Sequence, residues 1–226
     1  MKFIEARTIP DAWFRVNKKI LKEGKDYKVE RGSEETQTKK IAVSLKISNP
    51  EERPLVDERA PVSNVNKYAL EHLFSPDKQD YEYTYGYRLR DGYDQIQKVI
   101  DKFKEEKHDR QNIVTTRVPE DLENENPPCL TIIDFEIIED KLYNYSYWRS
   151  WDAHAGLPSN LAGIQLLSEH IAKEIGVETG EMCAFSKNLH LYKRQFSFVE
   201  DLITDSSEDR DKYSAGFDEE DSEDLQ

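Results

Sequence analysis

From Leu161 to Ile175 the sequence sets Leu161, Ile164, Leu167, Ile171 and Ile175 at helical spacing, and Gly176 closes the run. A helix this long and this apolar has to be buried, so the rest of the chain must supply the surface that covers it. Just upstream, Leu130–Ile138 and Lys141–Trp148 are apolar and β-prone on either side of Glu139-Asp140. That pattern predicts a hairpin, with Tyr143, Tyr145 and Tyr147 sharing one face of its second arm. Lys40–Ile47 alternates strictly, Ile41, Val43, Leu45 and Ile47 against Lys40, Ala42, Ser44 and Lys46, and reads as a half-buried strand. Asp11–Leu21 reads as an amphipathic helix stopped by Gly24, Val65–Phe74 as a short helix, and Tyr93–Glu105 as a helix with Ile96, Val99, Ile100 and Phe103 on its stripe. Ile113–Val118 and Glu181–Tyr192 complete the strands. With strands grouped in the middle and helices before, between and after them, the expected class is an α+β layered domain.

Composition narrows what such a domain does. Its 226 residues suit one large domain, and 37% hydrophobic with 11% aromatic residues is enough for a real core. The net charge is −14, of which −9 falls between Asp201 and Gln226, where eleven acidic residues face only Arg210 and Lys212. Residues 206–226 therefore read as an acidic, solvated tail and 1–205 as the folded domain. The remainder carries about −5 with no basic stripe, so binding to DNA or another polyanion has no electrostatic support. No apolar run reaches membrane-spanning length and the N-terminus has no signal-peptide core, so the expected location is the cytoplasm. The two cysteines, Cys129 and Cys183, form no CxxC or Cys/His pattern that could hold zinc.

Several residues stand in positions suited to chemistry. Cys129 follows Pro127-Pro128 at the mouth of a strand, where a small buried core residue is the ordinary role for one cysteine. Nucleophilic work needs a thiolate, and hence a nearby cation to lower the thiol pKa; Arg149, at the far end of the partner strand, can supply it. Arg149-Ser150-Trp151-Asp152 and Gly156-Leu157-Pro158-Ser159-Asn160 form a polar stretch leading into the long helix, which Asn160 could simply cap. His190 and Tyr192 alternate with Leu189 and Leu191, so their polar tips share a face.

Taken together and in order, Pro-Pro-Cys129, Arg149-Ser150-x-Asp152, Gly156-x-Pro158-x-Asn160 and His190-x-Tyr192 resemble the thymidylate synthase family, whose enzymes methylate dUMP. The resemblance runs from Tyr81 (YEYTYGYRLR) to Tyr192, about half of the chain. The short length, that segment, and Leu130 where bacterial members carry His are similar to the archaeal, methanogen-type branch. Upstream, Arg31-Gly32 is similar to the family's phosphate-binding arginine loop, and the segment RPLVDER (53–59) resembles its PLVTTKR.

The resemblance implies a layered α+β fold with a mixed sheet, a long buried helix, and a homodimer formed across the sheet. It also implies roles. Cys129 would add to C6 of the pyrimidine. Arg149, Ser150 and Arg31 would bind the nucleotide phosphate, joined across the dimer by Arg110. Asn160 would read the O4 and N3–H edge, which distinguishes uracil from cytosine. Asp152 would contact the pyrimidine and pterin region, His190 and Tyr192 would hold the 3′-hydroxyl, and Tyr85 would assist proton removal at C5 through water. The one-carbon donor would be 5,10-methylenetetrahydrofolate or methylenetetrahydromethanopterin.

The chain also departs from the pattern. Gln111 stands where the family has a second arginine beside Arg110. The family's water-organising glutamate has Glu71 as its nearest counterpart, and the expected C-terminal closing segment is replaced by the acidic tail. Two alternatives accompany the methylase reading: a dUMP or dCMP hydroxymethylase of the same fold, and a non-catalytic nucleotide- or RNA-binding relative. An intact Cys129, Arg149 and Asn160 weigh against the second, because binding alone needs no nucleophile.

Overall fold

The computed structural model describes residues 1–31 and 34–205. Its chain order is β1 (Lys2–Ala6), α1 (Ile9–Glu23), β2 (Lys25–Arg31), β3 (Glu34–Ile47), then α2 (Val65–Ala69) continued by a π-helical turn, Leu70–Phe74. After these come α3 (Tyr85–Arg90), α4 (Gln95–Glu105), β4 (Ile113–Thr115), β5 (Leu130–Ile138), β6 (Lys141–Trp148), β7 (Trp151–Asp152), α5 (Gly156–Ile175), β8 (Glu178–Tyr192) and α6 (Phe196–Asp205). The expected tail, 206–226, lies outside the described residues.

The sheet runs β1-β3-β8-β6-β5-β4, with β2 paired to the first half of β3 and β7 to the end of β8. It is mixed, because β1 with β3, and β6 and β7 with β8, are parallel and the other pairs antiparallel. The alternation read in Lys40–Ile47 is realised: Ile41, Val43, Leu45 and Ile47 are all buried. The predicted hairpin turns where expected, with Glu139 and Asp140 both at positive φ, 48° and 62°. That backbone matches the right-handed twist of the two arms. β4 is shorter than its predicted span, because Pro119 opens a 3₁₀ turn and the Thr116 hydroxyl folds in to the Leu130 carbonyl.

α5 starts earlier than the apolar stripe suggested, at Gly156, and ends where Gly176 takes φ +76°, a conformation that suits glycine at a helix C-terminus. Its residues from Leu157 to Gln165 are buried without interruption, because it packs on β6, β7 and β8 on one side and meets α1, α2 and α4 on others. Thr8 caps α1 by accepting from the Asp11 amide, and Pro10 sits in the first turn, where its missing N–H costs nothing.

Two bulges interrupt the ladder at the same end of the sheet. On β5 the register shifts between Leu130 and Ile132, beside Cys129. On β8, Ser186 and Leu189 pair with Val43 and Ile41, so Lys187 and Asn188 together oppose Ala42. The second bulge reverses which side chains face the core, from Met182, Ala184 and Ser186 to Leu189 and Leu191. It thereby turns His190 and Tyr192 to the other face, the usual effect of a bulge next to a functional cleft.

Candidate active site

Cys129 sits just before β5 and is half-buried, outside any disulfide. Arg149, the residue after β6, is fixed to the same turn three times over. Its backbone N–H donates to the Cys129 carbonyl at 2.9 Å, its Nε to the Pro128 carbonyl at 2.9 Å, and one terminal nitrogen to the Pro127 carbonyl at 2.5 Å. The sequence placed a cation across the hairpin from the thiol, and the guanidinium fork is held there while keeping further N–H donors for an anion. Tyr83 and Tyr85 stand on the other side. Burial first, then the neighbouring Cys129, push the Tyr83 hydroxyl up to about 12, and burial, with Tyr68, Cys129 and Tyr83 nearby, holds Tyr85 well above an ordinary phenol. Both therefore remain protonated at neutral pH. The backbone of Cys129 hydrogen-bonds Tyr83 and that of Leu130 hydrogen-bonds Tyr85.

The strand break at Arg149-Ser150 is locked from behind. Trp148 and Trp151 flank it and stack face to face, ring centroids 4.4 Å apart and 1° from parallel, both fully buried. Trp151 then donates its indole N–H to Asn160 Oδ1 at 2.9 Å, while Asn160 Nδ2 donates to the Tyr68 hydroxyl. The capping role that Asn160 could have filled does not occur. It is the fifth residue of α5, and the His154 and Ala155 amides ahead of the helix are taken by Asp152 Oδ1 at 2.9 and 3.0 Å. Tyr68 reaches Asn160 because α2 lies tight on α5 at Gly163, where a Cβ would sit 2.3 Å from a Leu73 methyl and 3.2 Å from the Tyr68 ring. Glu71, the nearest sequence counterpart of the family's water-organising glutamate, pairs with exposed Lys67.

A second cluster adjoins the first through β7. Asp152 is level with His190 in the ladder, and its carboxylate also accepts from Gln195 Nε2 at 3.1 and 3.2 Å, so it ties α5's entrance to the end of β8. Burial holds the His190 imidazole below the usual histidine range, and so neutral at pH 7. Its Nδ1 lies 3.2 Å from the Asn188 carbonyl, which can only accept, so Nδ1 carries the proton and Nε2 offers a lone pair. Tyr192 meets its ring edge-on at 4.9 Å. Ser150 accepts from Asn188 Nδ2 at 3.1 Å.

Two candidates stay apart. Arg110 is exposed beyond the end of α4, in the loop from which the Asn112 carbonyl accepts from Phe135, well along β5 from Cys129. Arg31 closes β2, with its backbone opposite Glu34, and its side chain lies outside the described residues. Sequence reasoning missed Tyr68, Tyr83, Trp151 and Gln195. Only Tyr83 carried a local signal, two residues before Tyr85.

Tyr68, His72, Tyr81, Tyr83 and Tyr85 line an open cleft of about 470 Å³, with exposed Asn126 at its rim. His72 packs between Tyr68 at 4.9 Å and Tyr81 at 5.1 Å. Such walls offer faces and edges to a flat heteroaromatic ring, and Asp80, Glu82 and Asn126 offer polar partners, so the residues present fit a reduced pterin.

Comparison with known proteins points the same way. The family model for thymidylate synthase matches residues 65–224. A protein of Methanothermobacter marburgensis carrying the name "Putative thymidylate synthase" is 30% identical over 219 residues, 88% of this chain and 97% of its own. Proteins of the same name from Methanosarcina mazei and Methanococcoides burtonii are 33% and 34% identical over 207 and 206 residues, each covering 89% of this chain and 94% of its own. The match takes in the Cys129 turn, the Arg149–Asp152 break, the Asn160 helix and the His190 strand alike, and the chain belongs to the thymidylate synthase family.

Proposed function

We propose that the protein is a thymidylate synthase acting in the cytoplasm as a homodimer, converting dUMP to dTMP by reductive methylation. The observation that carries this reading is the three-point attachment of Arg149 to the Pro127-Pro128-Cys129 turn, which couples a nucleophile to a fixed cation with donors to spare. In this reading the phosphate of dUMP binds Arg149 and Ser150, and the 3′-hydroxyl donates to His190 Nε2 beside Tyr192. Asn160 donates to O4 and accepts from N3–H. Cys129 then adds to C6, which makes C5 nucleophilic. The donor, 5,10-methylenetetrahydrofolate or methylenetetrahydromethanopterin, supplies the one-carbon unit and the hydride when bound. Tyr85, protonated and next to Cys129, relays the C5 proton through water.

The position of Arg110 supports the dimer. It is far from its own Cys129, as a residue serving a neighbour's phosphate must be. The sheet face bearing Tyr143, Tyr145 and Tyr147, opposite buried Leu142, Asn144, Ser146 and Trp148, is only half-covered within one chain. The test is a turnover assay on dUMP carrying tritium at C5, run with each donor and read by mass analysis. Release of tritium with a methyl product is expected. No release with either donor would overturn the reading, and a hydroxymethyl product would replace it with the hydroxymethylase alternative.

A further inference from the structure

We infer that Trp151 sets the base specificity of this site by pinning the Asn160 amide in the one orientation that reads uracil. The inference rests on the nucleotide reading above, in which Asn160 faces the pyrimidine edge. An asparagine amide can turn end for end in a pocket of its size, exchanging oxygen for nitrogen. In one orientation it offers N–H to O4 and a lone pair to N3–H; in the other it offers a lone pair to an exocyclic amino group and N–H to an unprotonated N3, which is cytosine. Selectivity therefore requires something to break the symmetry, and the two neighbours of Asn160 differ in whether they can.

Tyr68 cannot. Its hydroxyl also hydrogen-bonds Ser159, and because both hydroxyls donate and accept, Tyr68 can exchange its two roles between Ser159 and Asn160 and so satisfy either end of the amide. Trp151 can, because an indole N–H only donates. At 2.9 Å it demands the oxygen of Asn160, and the turned amide would set two donors against each other. Trp151 is also unable to yield. It is 2% exposed, stacked on Trp148 at 4.4 Å, and its backbone is paired to Leu189. With its oxygen on Trp151, Asn160 sends one Nδ2 hydrogen to Tyr68 and keeps the other, together with a second lone pair on Oδ1, for the base. Trp151 touches no substrate in this arrangement; it is a positioning residue that acts through Asn160.

Trp151→Phe keeps an aromatic ring on Trp148 but removes the N–H together with the rest of the fused ring, so Tyr68→Phe, which also takes a polar group from the same amide, serves as its control for loosened packing. The two amide orientations then approach equal population, and a dCMP-reading state that the parent holds at a small fraction becomes available. Binding of dUMP and dCMP is measured by calorimetry on the full chain and both variants. The preference for dUMP over dCMP should fall about tenfold in Trp151→Phe. In Tyr68→Phe both affinities should change together and the ratio should hold, an outcome that general loosening of the pocket would not give. A folded Trp151→Phe with the parent's ratio would overturn the inference while leaving the nucleotide reading standing. A parent that binds both bases equally would also overturn it, and a parent that binds neither would overturn the reading and this inference with it. The contact has an independent readout in ¹⁵N-labelled protein, which carries three indole N–H groups. Two of them donate to the His154 carbonyl and to Ser146 Oγ. Asn160→Ala should move the third, and if no indole resonance moves, the pin does not exist.

Discussion

Cys129, beside Tyr83 and Tyr85, and Asn160, bonded to Tyr68, are placed by different means. Cys129 is held by main-chain groups, through the Pro127, Pro128 and Cys129 carbonyls that Arg149 gathers. Asn160 is held by side chains alone, between an indole and a phenol. A carbonyl is the same whatever residue bears it, so the nucleophile's position is insensitive to substitution of Cys129 itself. A side-chain clamp is only as good as the donors and acceptors it contains. The end of the site that performs chemistry should thus lose activity without changing shape, and the end that reads the base should change preference without losing its fold.

The largest effect expected from this contrast is at the nucleophile. Cys129→Ala leaves the carbonyl that Arg149 grips, so dUMP should still bind while tritium release from C5 falls by at least about 10³-fold. Substantial turnover in that variant would remove the covalent step and with it the meaning of the Arg149 clamp.

Next comes the reading end. Asn160→Asp can be accommodated: the carboxylate still accepts from Trp151, and the Tyr68 hydroxyl reverses to donate to it. What changes is the face shown to the base, which loses its N–H donor and gains an acceptor for the cytosine amino group. The dUMP to dCMP ratio of kcat/KM should shift towards dCMP by about 10²-fold, the scale set by mismatched buried hydrogen bonds. An unchanged ratio would show that Asn160 does not face the pyrimidine.

A smaller effect tests whether the phosphate end is shared between chains. In a mixture of Cys129→Ala and Arg110→Ala chains, random exchange makes half the dimers hybrid. If Arg110 acts on its neighbour's site, each hybrid has one intact site and one lacking both residues, and activity should recover to about a quarter of wild type. A mixture that never exceeds its more active parent, with exchange verified by mass, would mean Arg110 serves its own subunit.

The same contrast explains what could be read from sequence. The hairpin, α5, β3 and the Cys129, Arg149, Asn160 and His190 positions were legible because each is fixed by a local period or by a motif whose order is conspicuous. β2 was not, since it is an edge strand whose Tyr27 is half-exposed and whose Lys25, Asp26 and Lys28 show no apolar face. α6 has Phe196, Val199, Leu202 and Ile203 at helical spacing, but Asp201 and Asp205 drew it into the acidic stretch. The two bulges and the Tyr68–Asn160–Trp151 chain depend on which strands and helices meet, 92 residues apart in the case of Tyr68 and Asn160, and no window of sequence contains that information.

His190 belongs with Cys129 in being held by main chain, and it carries the smallest effect. Burial keeps its imidazole below the usual histidine range, with the Nδ1 proton committed to the Asn188 carbonyl. As pH falls below about 6.5, the unfolded chain takes up a proton that the folded chain resists, so the unfolded state binds more protons and stability declines. The stability in question is complete above the unfolded value and is lost as pH drops towards the lower folded one. His72 and His154 are lowered by burial as well, so the whole slope does not belong to one residue. His190→Gln can still donate to the Asn188 carbonyl, but it has no proton to refuse. Urea unfolding at pH 7.5 and 5.5 should therefore show a shallower loss in the variant, by at most about 1.4 kcal/mol per pH unit. Parallel slopes for parent and variant would mean that His190 takes its proton as readily folded as unfolded, and that the neutral Nε2 offered to the 3′-hydroxyl is not secured by burial.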